Sequence, residues 1–249
     1  MLTNLNKGKV FMKKKAIVTG ANGKLGTAFV EALTGKGYFV YAVDLNIENI
    51  EASESVELVK LDITYETAVH NFFSSVQDLD VLVNNAGIGV FTPFEDRTAA
   101  EFKNVVEVNL LGTFLMSQSA IKIMKNTYGG KIVNIASIYG STSSDERIYG
   151  DSGRNNSEVY SATKAGVISL TKYMAAHFGK YNIQTNSISP GGIYNHQSED
   201  FVSNYEYKTP MHRMGNIQDL ISTMFYLISD ETTYTNGQDI AVDGGFLAW

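Results

Sequence analysis

The chain has 249 residues, 44% of them hydrophobic and 18% charged, which supplies apolar material for one full core. Its net charge of −6 carries no block of like charges, which argues against a surface built for nucleic acid or an anionic membrane. There is no cysteine, so disulfides, thiolate metal sites and a cysteine nucleophile are excluded.

Residues 1–12, MLTNLNKGKVFM, lack the apolar core of a signal peptide. They read as a flexible extension, because Met12 opens a second start, MKKKAIVTG. Lys13–Lys15 is the only basic cluster and reads as a solvated strand entry. From there short β-rich runs alternate with longer amphipathic ones. Strands are predicted at 15–19, 38–43, 56–61, 80–84, 131–136, 183–189 and 238–243. Helices are predicted at 24–35, 65–77, 98–126, 159–179 and 216–229. Several strand runs are apolar on both faces, as in a parallel sheet covered on each side. The alternation predicts right-handed βαβ units and an α/β, doubly wound parallel sheet with helices on both faces. No repeat appears and prolines number only three, so 1–249 reads as a single domain. No run reaches the length of a membrane span. A soluble, cytoplasmic protein is expected.

KAIVTGANGKLGTAFVEAL (15–33) reads strand, glycine turn, helix. Gly20 suits the tight turn, Gly23 a backbone approach to a pyrophosphate, and Gly26 a close helix–sheet packing. The helix start, with Asn22, Lys24 and Leu25, offers free N–H groups and a positive dipole end to an anion. An ordinary glycine-rich βα turn is the plainer reading. Asp44 ends the second strand about twenty positions on, where a carboxylate binds a ribose diol and repels a 2′-phosphate. NAD is therefore expected as cofactor, with NADP as the alternative, because Lys24 is a candidate partner for an extra phosphate. Asp62, with Ile63 beside it, either accepts from an adenine amino group or caps the next helix.

NNAG (84–87) ends the fourth strand, and its small residues Asn85, Ala86 and Gly87 suit backbone lying against a flat cofactor. Asn84 and Asn85 are candidates for bridging strand ends; a simple turn is the plainer alternative. In YSATK (160–164), Tyr160 and Lys164 share one helical face. An ammonium beside a phenol favours the phenolate, and such a pair can move a proton to or from a carbonyl oxygen. Tyr160 is the only tyrosine with a lysine four residues on; Tyr139 meets Ser143 and Tyr149 meets Gly153. Ser137 ends the fifth strand, where its hydroxyl can hold a substrate oxygen or merely cap a turn. The four histidines (70, 177, 196, 212) show no metal spacing, and no metal site is expected.

Taken together, TGANGKLG, Asp44, NNAG, VNLLG (108–112), IASI, YSATKAG, SPGGI (189–193) and DGG (243–245) strongly resemble the short-chain dehydrogenase/reductases of the classical type. The likeness spans essentially the whole chain, in order. It is also similar, more weakly, to members linked to surface-glycan and flagellin-sugar modification. The resemblance implies a Rossmann-type fold and an NAD(P)-dependent oxidoreductase. It implies a tetrad: Tyr160 as acid/base, Lys164 lowering its pKa and holding the nicotinamide ribose, Ser137 on the substrate oxygen, and Asn109 anchoring a proton relay through a water. It places Pro190, Gly191, Ile193 and Asn195 at the cofactor. It also implies a homo-oligomer, tetramer or dimer, pairing the helices near 110–126 and 160–178.

The chain departs from the family in two places. The glycine spacing is TGxxGxxG, with Lys24 where the classical TGxxxGxG has its middle glycine, as in sugar-nucleotide epimerases of the extended type. Twenty-two residues separate Ser137 from Tyr160, a long interval for the family. The interval contains a polar insertion, 141–158, and 194–215 matches the family's substrate lid. With Arg147, Arg154 and Tyr194 as candidate substrate contacts, these polar walls suit a hydrophilic, sugar-like small molecule; a solvated insertion is the bland alternative. His196 and Arg213 lie in or near the lid. Competing functions are an epimerase or dehydratase that retains its cofactor, a 3-oxoacyl-type reductase, and a non-catalytic dinucleotide sensor.

Overall fold

The computed structural model describes residues 13–48, 50–152 and 156–249; the extension expected at 1–12 lies outside the described residues. Seven strands, β1 (Lys15–Thr19), β2 (Phe39–Asp44), β3 (Val56–Lys60), β4 (Val81–Asn84), β5 (Gly130–Ile135), β6 (Ile183–Pro190) and β7 (Asp239–Val242), form one sheet. The order is β3-β2-β1-β4-β5-β6-β7 and every pairing is parallel. Strand order reverses between β1 and β4, so a crevice opens at their carboxyl ends.

Alternation along a strand sends successive side chains to opposite layers. In β1, Ala16 and Val18 join one core while Ile17 joins the other. The first core packs α1 (Lys24–Gly35) and α7 (Ile217–Ile228) on the sheet through Phe29, Leu33, Leu220 and Met224. The second holds α2 (Glu66–Ser75), α4 (Thr113–Lys125) and α5 (Glu158–Phe178) through Phe73, Met116, Met124 and Met174. Each such fully buried side chain stabilises the fold by about 1.5–3 kcal/mol.

Two elements differ from the predicted ones. The helix predicted at 98–126 is α3 (Ala99–Val106) and α4 joined by a π-helical turn, Glu107–Gly112. A Cβ on Gly112 would fall 2.6 Å from Ile63, so this glycine lets the widened turn close on the crevice. Between β6 and α7 lies a helix absent from the predicted set, α6 (Glu199–Lys208). Its signals are local: Ser198 accepts from Phe201 N–H at 3.4 Å, Glu199 and Asp200 open the first turn, and Lys208 closes the last.

The segment 141–158 is not solvated throughout. Ile148 is buried and Tyr149 packs edge-on against Phe201 of α6, with ring centroids 5.2 Å apart. They join Ile138, Tyr205, Met214 and Phe246 in a third apolar cluster. Asp145 accepts from Lys208 of α6 at 2.6 Å, a second tie between the segments. Among the described residues, no helix is long and apolar enough to cross a membrane.

Candidate active site

A cleft of about 510 Å3 lies over the carboxyl ends of β1 to β4. Its walls are set by backbone contacts that leave no room for side chains. Gly20 has φ +63°, and a Cβ there would lie 2.7 Å from Ala86 Cα. A Cβ on Gly26 would run into the Gly20 carbonyl oxygen and stand 2.7 Å from Ala21 Cα. The Thr19 hydroxyl accepts from the N–H groups of Asn85 and Ala86 at 3.0 and 3.1 Å. The Asn85 amide donates to the carbonyls of Thr19 and Gly20 at 3.1 and 3.0 Å. These bonds bolt the end of β4 to the glycine turn. Helix α1 begins from Gly23 without a side-chain cap and with no acidic residue in its first turn, and its positive end faces the cleft. A diphosphate-bearing group fits this arrangement of close backbone and open helix terminus.

Asp44 accepts from the N–H groups of Asn22 and Asn46, both at 3.0 Å, and so stands fixed at the cleft edge. Asp62 accepts from the N–H and hydroxyl of Thr64 at 2.9 and 2.7 Å. It shapes the turn before α2 and does not cap it, because the N-cap residue is Tyr65. Lys24 donates to the Tyr194 carbonyl at 3.1 Å and the Asn195 side-chain oxygen at 3.0 Å.

At its other end the cleft reaches Gly87 and Ile88. A Cβ on Gly87 would lie 3.3 Å from Lys164 Nζ and 3.5 Å from Asn109 Oδ1. Asn109 sits in the π-helical turn. Its side chain accepts from Ile88 N–H at 2.8 Å and donates to the Ile88 carbonyl and the Thr163 hydroxyl at 2.9 and 3.1 Å. It thereby pins the end of NNAG to α5. Ser157 caps α5 by accepting from Tyr160 N–H at 3.3 Å. Tyr160 and Ser137 share a side-chain hydrogen bond. Lys164 is buried, donates to the Ile135 carbonyl at 2.7 Å, and holds its ammonium 5.5 Å from the Tyr160 ring centroid.

Burial pushes the Tyr160 phenol above its ordinary value; the bond to Ser137 opposes this and nearby Tyr149 adds to it. Burial also lowers Lys164 to about 8. The expected depression of Tyr160 by Lys164 is thus not seen in this structure.

The family model described as enoyl-(acyl carrier protein) reductase matches residues 20–247. The chain belongs to the short-chain dehydrogenase/reductase family. It is 42% identical to a short chain dehydrogenase of Leptospira borgpetersenii solved with bound NAD+, with a TM-score of 0.90 over 99% of this chain and 96% of that one. It is 32% identical to 2-dehydro-3-deoxy-D-gluconate 5-dehydrogenase of Formosa agariphila, over 97% of this chain and 94% of the relative. NADH-dependent L-xylulose reductase of Ambrosiozyma monospora is also 32% identical, over 94% of each chain.

In this dehydrogenase/reductase the SPGG turn is built around Tyr205, which the sequence reading missed. Its hydroxyl accepts from Gly192 N–H at 2.5 Å, and a Cβ on Gly191 would lie 2.7 Å from that oxygen. Ile193 packs toward the core of α1 and α7, and Pro190 ends β6. Tyr139 and Tyr149 share a side-chain hydrogen bond close to Tyr160. Arg147 is exposed and is held by Asp145 at 2.7 Å, in a separate cleft with Tyr207 and Trp249. Arg154 lies outside the described residues. Tyr194 is half exposed and meets His196 edge-on at 5.3 Å, while Arg213 pairs with Asp219 at 2.8 Å.

Asn84 bridges neighbouring strand ends as expected, and it opens a buried polar chain beneath the site whose further members the sequence does not announce. Asn84 donates to Ser117 and Asn134 at 2.9 and 2.8 Å, and Asn134 donates to Thr171 of α5 at 2.8 Å. Buried Arg97 pairs with Glu158, two residues before Tyr160, at 2.9 Å. Nothing in local spacing marks Ser117, Asn134, Thr171, Arg97 or Glu158; only the fold brings them together. Among the described residues, no group of three or more acidic or histidine side chains is placed to hold a metal.

Proposed function

We propose that the chain is an NAD-dependent oxidoreductase interconverting a carbonyl and a secondary alcohol on a hydroxylated, sugar-like substrate, with Tyr160 moving the proton. One observation carries the reading: Ser137, Tyr160, Lys164 and Asn109 converge where the glycine-walled cleft ends at Gly87. The cleft would hold a dinucleotide with its diphosphate at the start of α1. Asp44, at the end of β2, would take the adenosine ribose diol and disfavour a 2′-phosphate. When bound, the nicotinamide supplies or accepts the hydride.

The protein's own part is proton handling and orientation. A half-buried, neutral phenol carries the proton that a reduced substrate oxygen needs. Ser137, already bonded to Tyr160, would hold the same oxygen. Lys164 keeps most of its charge at pH 7 with a pKa of about 8, and would stabilise the phenolate left behind. Asn109 positions Thr163, whose hydroxyl in turn bonds the Tyr160 carbonyl at 2.8 Å, and so fixes the helix carrying the phenol.

For the substrate, the hydroxyls of Tyr139 and Tyr149 beside Tyr160 favour a hydroxylated compound over an acyl chain. The sugar-acid dehydrogenase and the xylulose reductase among the relatives support the same class. Segment 194–215 would serve as its lid. We also propose a homo-oligomer through the exposed face of α4 and α5, where Leu111, Phe114 and Tyr173 border one apolar cleft.

The test is a screen of ketoses, polyols and sugar acids with NAD(H), followed by nicotinamide absorbance. Tyr160→Phe should lower kcat by roughly 10³-fold while NADH affinity stays unchanged. Retained turnover in that variant, or a preference for acyl thioesters, would refute the reading.

A further inference from the structure

Lys24 stands where the family has a glycine, and its contacts are unlike those expected of a cofactor-selecting residue. It is the first residue of α1, at the helix end that faces the cleft. Its ammonium reaches across to the chain after β6, 170 residues away, and donates to Tyr194 O at 3.1 Å and Asn195 Oδ1 at 3.0 Å. Asp44, which marks the ribose end, is tied instead to Asn22 and Asn46.

The receiving turn is built to present those two oxygens. Tyr194 N–H donates to the Gly215 carbonyl at 2.9 Å. Asn195 N–H donates to Gln197 Oε1 at 2.7 Å, and Gln197 Nε2 donates back to the Ile193 carbonyl at 2.9 Å. His196 is held at φ +55°, a conformation that a non-glycine residue keeps only when its surroundings fix it. Both acceptors are uncharged oxygens, so the ammonium charge is left for an anion. Two of its three N–H donors are used, which leaves one for a phosphate oxygen at the helix terminus.

We propose that Lys24 is a latch: it ties the turn at 194–195 across the phosphate end of the cleft and, with the diphosphate beneath it, slows release of the dinucleotide. The proposal rests on the dinucleotide reading above. It assigns the lysine a retaining role at the diphosphate in place of a selective one at the 2′-position.

Binding and release of NADH and, separately, NADPH are measured by stopped-flow nicotinamide fluorescence for the wild type, Lys24→Ala, Asn195→Ala and the double variant. Hydrogen–deuterium exchange of residues 193–198 is followed in parallel without nucleotide. The latch predicts release about fivefold faster in Lys24→Ala, faster also in Asn195→Ala, and no further gain in the double variant. It predicts faster exchange at 193–198 in both single variants. Faster release in Lys24→Ala alone, with exchange unchanged, would make the lysine a simple phosphate ligand and overturn the latch. Loss of NADPH binding with NADH unaffected would return it to the 2′-position and also overturn it. If the wild type bound no NADH, the proposed function and the latch would fall together; binding with unchanged release in Lys24→Ala would refute the latch alone.

Discussion

The two sides of Tyr160 are held by different forces. Toward the glycine turn, backbone packs on backbone: Gly20 against Ala86, Gly26 against Gly20, and Thr19 and Asn85 cross-bonding two strand ends. Toward residues 141–158 and α6, side chains do the holding, through Ile148, Tyr149, Phe201 and Tyr205 and the Asp145–Lys208 pair. The first kind of wall tolerates almost no change, because an added Cβ has nowhere to go. The second can be repacked with less loss.

That contrast breaks most visibly at Gly26. Gly26→Val should cost about 3 kcal/mol, read by urea unfolding, and abolish NADH binding, because its Cβ meets backbone rather than a movable side chain. A mild effect there would mean that the first wall yields as the second does. Lys164 gives the next effect, of opposite sign. Its folded pKa of about 8 lies below the ordinary 10.5, so burying the ammonium opposes folding below pH 8. The penalty fades as pH rises from 8 to 10.5. The charge costs roughly 3 kcal/mol and the bond to Ile135 returns about 1. Lys164→Met should therefore raise stability at pH 7 by about 1–2 kcal/mol, shrink that gain by more than half at pH 10, and remove turnover. Denaturant titrations at the two pH values measure it, and a loss of stability at pH 7 would contradict it. Most local in its reach, Ile148→Ala should cost about 2 kcal/mol, felt mainly within the second wall. Exchange should quicken at 141–158 and 199–208, while NADH affinity holds within about twofold. A matching fall in NADH affinity would erase the distinction between the walls.

The same contrast explains what could be read from the chain before the structure. Gly20, Gly26, Asn85 and Asp44 act through local backbone geometry, and local spacing announces them. Tyr160 and Lys164 share a helix face and are legible for the same reason. Ile148 and Tyr149 sit in a run dominated by Ser, Asp, Asn and Gly, so the run reads as solvated. Their burial depends on Phe201 and Tyr205, more than fifty residues away. Helix α6 had its own cap and charge signals, but its polarity hid them. The π-helical turn at Asn109 leaves helical periodicity nearly intact, so it merges into one long predicted helix. Lys24 stands out in the glycine turn, yet its partners Tyr194 and Asn195 follow β6, far along the chain, and no local spacing announces them.

The most direct measurement is a fluorescence titration of the wild type and of Asp44→Ala with NADH and, separately, NADPH. The account predicts tight NADH and weak NADPH binding in the wild type. In Asp44→Ala the preference should relax by about tenfold, as the carboxylate's bond to the ribose diol and its repulsion of a 2′-phosphate are both lost. Equal binding of the two nucleotides by the wild type, or a preference for NADPH, would contradict the role given to Asp44. Binding of neither would contradict the reading of the cleft itself.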